Sequence, residues 1–122
     1  MEKLIFVLMG ISFFLAGCGM DCSNDVVKTV QAPDKAYKAI AFIRNCGATT
    51  DCSPQVSILK RNQRLGKSGG NVFIGNHSTF IDVYWKDANT LVIIHDCSEE
   101  DIFLQKEKVG TIQIMYTAKP QG

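Results

Sequence analysis

Apolar and polar residues alternate along most of this chain, and a period of two predicts strands. Val26 to Ala32 reads as a first strand, closed by a turn at Pro33-Asp34-Lys35, where proline presets φ at the first corner. Tyr37 to Cys46 reads as a long strand with apolar residues on both faces, hence central. Gly47 to Pro54 is a loop, and Gln55 to Leu59 alternates again. Lys60 to Gly70 is polar, basic and glycine-rich, the pattern of a mobile surface loop. Asn71 to Ile74 is a short strand before a turn at Gly75-Asn76. Phe80 to Trp85 places Ile81, Val83 and Trp85 on one face, and Lys86 to Asn89 makes a hairpin loop. Leu91 to Ile94, wholly apolar, predicts a strand buried on both sides. Ser98 and Asp101 suit the cap of a helical turn running through Phe103. Val109 to Tyr116 closes the sheet with Ile112, Ile114 and Tyr116 inward, and Lys119 to Gly122 is a tail. The expected fold is all-β: a small antiparallel meander, sandwich or open barrel, stapled by disulfides.

The N-terminus breaks this pattern. Lys3 precedes the apolar run Leu4 to Leu15, which is too short for a bilayer core of ~30 Å but suits a signal peptide. Leu15-Ala16-Gly17-Cys18 ends the run as a lipobox, in which the Cys18 sulfur receives a diacylglycerol and becomes the first mature residue. The expected organisation is a lipoprotein signal peptide over 1–17, a lipid-anchored tether over 18–25 and one antiparallel β-domain over 26–122. The expected address is a bacterial cell envelope, with the membrane held through N-terminal acyl chains. Gly19 follows the acylated residue, so in a diderm the resemblance to sorted lipoproteins implies the outer membrane, facing the periplasm.

Composition narrows the functions. A net charge of +1 offers no field for nucleic acid. Of five cysteines, acylation of Cys18 leaves Cys22, Cys46, Cys52 and Cys97. An even number in an exported chain reads as two disulfides. Three pairings exist; Cys22–Cys46 with Cys52–Cys97 is favoured, and Cys46 with Cys52 stays open. No Cys-x-x-Cys spacing is present, so neither a metal site nor a redox pair is expected, and no cofactor.

Arg44-Asn45-Cys46-Gly47-Ala48-Thr49-Thr50 is the most distinctive run. Ser53-x-Gln55-Val56-Ser57-Ile58-Leu59, Gly70-Asn71-Val72-Phe73 and Trp85-x-Asp87-x-x-x-Leu91-x-Ile93 accompany it. Together they resemble a family of uncharacterised small bacterial lipoproteins and membrane-anchored proteins built round a Cys-Gly-Ala-Thr-Thr motif. The resemblance implies a shared fold and an envelope location; it carries no catalytic residue. Cys52 and Cys97 would be a pair beyond the family pattern.

Chemistry is sparse. A turn pinned by Cys46 is the plain reading of Gly47 to Thr50; a recognition loop of Arg44, Gly47, Thr49, Thr50 and Gln55 is the sharper one. Gly66-Lys67-Ser68 lacks the earlier glycine and the helix of a phosphate loop. Lys60, Arg61, Arg64 and Lys67 are a solvated basic loop or a contact for anionic headgroups or an acidic partner. Asp96, Glu99, Glu100 and Asp101 lack calcium-loop spacing. His77-Ser78 and His95-Asp96 are chain neighbours, and neighbours in a strand point apart, so no enzyme is expected. The expected role is a non-catalytic envelope binding or structural module with an envelope protein partner. The alternative is an inhibitor or immunity-type lipoprotein that blocks an exported enzyme or toxin, with Lys60 to Gly70 as its inserting loop.

Overall fold

The structure is a computed structural model that describes residues 22–47 and 52–120. Two sheets pack face to face. The first runs β1 (Ser23–Gln31), β2 (Tyr37–Asn45), β3 (Ser53–Lys60), β4 (Phe73–Gly75) and β7 (Ile102–Gln105) in that spatial order. The second is ordered β5 (Ile81–Asp87), β6 (Thr90–His95), β9 (Ile112–Ala118) and β8 (Lys108–Val109). The fold is therefore all-β, as the alternation predicts.

The core lies where the inward positions of the two sheets meet. Ala39, Ala41 and Ile43 of β2 and Val56 and Ile58 of β3 face Ile81 and Val83 of β5, Leu91 and Ile93 of β6, and Ile112 and Ile114 of β9. Trp85 ties the sheets together by donating its indole N–H to the Val30 carbonyl at 2.9 Å. Lys28 and Asp82 form an exposed ion pair at 3.0 Å, worth at most ~1 kcal/mol.

Four expectations are corrected. The antiparallel meander fails at one pairing, because β6 and β9 run parallel. After β6 the chain crosses to the first sheet as β7 and returns to fill the open side of β6. Val109 to Tyr116 is not one strand: Gly110, at φ +59°, turns β8 back on β9. Residues 23–25, expected to belong to a tether, are part of β1. Cys22 is disulfide-bonded to Cys46, and Ser23, Asn24 and Asp25 pair with Asn45, Arg44 and Ile43. An edge strand held by backbone bonds and a cross-link needs few apolar side chains, so its composition looks like a linker.

The fourth correction concerns Lys60 to Gly70, which is a pinned strap. Leu65 sits buried with Ile40, Phe42 and Leu59 on the outer face of the first sheet. The Asn24 amide donates to Gly66 O at 3.0 Å and Ser68 O at 2.7 Å. Farther along, Asn71 brackets Ile58, accepting from its N–H at 2.9 Å and donating to its carbonyl at 3.0 Å. One buried leucine and these side-chain bonds satisfy a backbone that glycine content alone makes look free.

Candidate functional site

The ends of β3, β4 and β6 meet at the end of the sandwich that carries Cys22. A cleft of about 520 Å³ opens there, lined by Cys52, His77, Ser78, Thr79 and Asp96. The turn from Gly75 to Phe80 supplies most of it. The Ser78 N–H donates to Cys52 O at 3.4 Å, and the Ser53 hydroxyl to Gly75 O at 2.6 Å. His77 takes φ +58°, a left-handed conformation costing a non-glycine residue ~1–2 kcal/mol.

Two polar pairs stand side by side in this cleft. His77 Nδ1 lies 2.8 Å from Asp101 Oδ1, and the Ser78 hydroxyl donates to Asp96. Asp101 also accepts from the Ser98 hydroxyl at 3.0 Å. The bond to His77, then that to Ser98, holds its carboxyl below the usual range. Nucleophilic catalysis needs hydroxyl, base and orienting group in one chain. Here the hydroxyl faces a carboxylate, and among the described residues no hydrogen bond joins it to His77. The sequence argument that chain neighbours point apart missed the turn, which brings both side chains to the cleft.

His95 plays a structural part. Its ring stacks on Phe73 with centroids 4.9 Å apart, and Nδ1 accepts the Cys97 N–H at 3.1 Å. Burial lowers its pKa, against the opposing pull of Asp96.

The cysteines divide. Cys22 and Cys46 are bonded as expected. The expected Cys52–Cys97 bond is corrected: both are free thiols. Each sulfur aims at its own acceptor, Cys52 at Asn45 Oδ1 (3.6 Å) and Cys97 at Asn76 O (3.7 Å). Burial pushes the Cys97 thiol up. Among the described residues no group of three or more His, Cys, Asp or Glu is arranged to hold a metal ion.

Of the expected recognition-loop residues, Arg44 and Gln55 make hydrogen bonds within the domain. Arg44 donates to Asn24 Oδ1 at 2.8 Å and to Lys67 O at 2.7 Å, clamping β1, β2 and the strap. Gln55 is 5% exposed; it donates to Ser53 Oγ at 2.8 Å and accepts the Gly70 N–H at 2.7 Å. Both are internal fasteners. Gly47 takes φ +125° beside the disulfide. Thr49 and Thr50, like Cys18, lie outside the described residues.

These observations define a small two-sheet β-domain, cross-linked at the start of its first strand and carrying a polar cleft at that end. The chain belongs to a family of unknown function, DUF5412, which matches residues 1–107. The match stops short of β9, although Ile112 and Ile114 complete the core. No curated protein and no solved structure matches the chain.

Proposed function

We propose that this protein is a lipid-tethered module of a bacterial cell envelope that acts by binding, its membrane attachment made through acyl chains on Cys18. The observation that carries the reading is the disulfide Cys22–Cys46, four positions past the lipobox cysteine. A cross-link at that place suits an oxidising compartment, and it leaves a very short tether between anchor and fold. The separate pairing of Ser78 and His77 supports binding over nucleophilic catalysis. Two acyl chains hold a protein stably at a bilayer where one does not.

The test is radiolabelled palmitate in cells making the wild-type chain or Cys18→Ser, followed by detergent phase partitioning. Label in the wild type alone, with the protein in the detergent phase, is expected. An unlabelled wild type in the aqueous phase overturns the proposal.

A further inference from the structure

A second groove lies at the opposite end of the sandwich. It measures about 530 Å³ and is lined by Asp34, Lys35, Tyr37, Lys60, Arg61 and Asn62 among others. The β1–β2 turn and the end of β3 build it. The Arg61 N–H donates to Ala36 O at 3.2 Å, clipping the two together. Tyr37 and Lys60 are cross-strand partners, so their side chains rise from one face. Lys35 sits at φ +61°, a left-handed conformation that favours glycine over a residue with a side chain.

The charge in this groove is unbalanced. Three cations line it against one carboxylate, and Asp34 Oδ1 already accepts the Ala36 N–H at 3.0 Å. Among the described residues no carboxylate pairs with Lys35, Lys60 or Arg61. Backbone groups at the groove are engaged as well. Ala32 O accepts from Lys35, Ala36 O from Arg61, and the Lys60 N–H donates to Gln63. An extended peptide, which docks by adding backbone hydrogen bonds, finds few partners here. Tyr37, 39% exposed, offers a flat wall instead.

We propose that this groove binds an anionic saccharide unit, a sugar ring bearing a carboxylate or phosphate. The ring lies against Tyr37, and Lys35, Lys60 and Arg61 take the charge. The inference rests in part on the tether reading. β1 carries the chain ~30 Å from Cys22 to the groove, several Debye lengths from the headgroups of the protein's own bilayer. Asp96 and Asp101 lie at the end that carries Cys22, away from this groove.

The test is calorimetry on the full chain in detergent with four probes: a tetragalacturonate, a hexose phosphate, a neutral galactose tetramer and an acidic peptide of matched charge. One or both anionic sugars are expected to bind, and which one does identifies the charged group. The neutral tetramer should bind at least ~10-fold more weakly. Lys60→Glu with Arg61→Glu should cost the anionic sugar at least ~10-fold, and Tyr37→Ala should weaken it at an unchanged melting temperature. Lys35→Asn should weaken binding while stability holds or rises. Equal affinity for the neutral tetramer, no binding of either anionic sugar, tighter binding of the peptide, or indifference to charge reversal each overturns the proposal. The palmitate experiment is read separately, so a failed tether and a failed groove are told apart.

Discussion

Single residues explain why two polar side chains are buried beneath the strap. Among the described residues Gln55 and Ser57 are the buried polar ones, and both hold the end of the strap: Gln55 through Gly70, Ser57 through the N–H of the next residue, Asn71, at 3.1 Å. A buried polar group without a partner costs ~1–3 kcal/mol; here none is left unpaired among the described residues. His95 gives a pH prediction. Its folded-state pKa lies below the unfolded value because burial disfavours the charged ring. Its contribution is present above ~6.5 and is lost as pH falls toward the folded value. Melting temperature should therefore fall between pH 7 and pH 5, and His95→Phe, less stable at neutral pH, should flatten that slope in thermal melts. Cys97 gives a second prediction. Alkylation of the folded protein followed by mass mapping should modify Cys52 and, more slowly, Cys97, whose thiol burial pushes up. Cys22 and Cys46 should react only after reduction.

Elements show how local composition misleads. The strap reads as a loose loop because its glycines and lysines carry no periodic signal, and one leucine decides its fate. Leu65→Ala removes the plug over Phe42 and Ile40 and should cost ~2–3 kcal/mol. Hydrogen exchange should then quicken over residues 61–70 while β5, β6 and β9 stay protected. β1 reads as half tether because Ser23, Asn24 and Asp25 are polar, yet they pair with β2. The disulfide closes a loop of 24 residues there. Cys46→Ser should lower urea-unfolding stability by ~3 kcal/mol and release β1 first, visible as faster exchange at Val26 to Val30. The bulge between Val26 and Lys28 and the exposed Lys28 blunt this edge against pairing with other chains.

At the scale of the whole molecule, two sheets share one core and leave clefts at opposite ends. One joins His77, Ser78, Asp96 and Cys52; the other joins Lys35, Tyr37, Lys60 and Arg61. Asp96 and Asp101 stand at the end beside Cys22, and Lys35, Lys60 and Arg61 at the other. A chain anchored at Cys18 would hold the Ser78–Asp96 cleft toward the bilayer and the Lys35–Arg61 groove away from it. The outer face of the second sheet shows Tyr84 beside Val92 and Met115, with Tyr84 and Met115 exposed and Val92 covered.

Most strand positions were legible from alternation because each such strand has one face toward the core, and burial on that face selects apolar residues every second place; β7 was not, since the helical turn expected through Phe103 ends at Asp101 and Ile102 to Gln105 pairs with β4 instead. The Cys22–Cys46 bond and the turn at Pro33 were legible for similarly local reasons. Cysteine number restricts pairing, and proline restricts φ. Long-range geometry decided the rest. Nothing in a period of two distinguishes a parallel from an antiparallel neighbour, so β9 beside β6 is set by which edge remained open. No local pattern brings Lys35 to Arg61 or Ser78 to Asp96, since those contacts arise only when separate turns reach the same end of the sandwich.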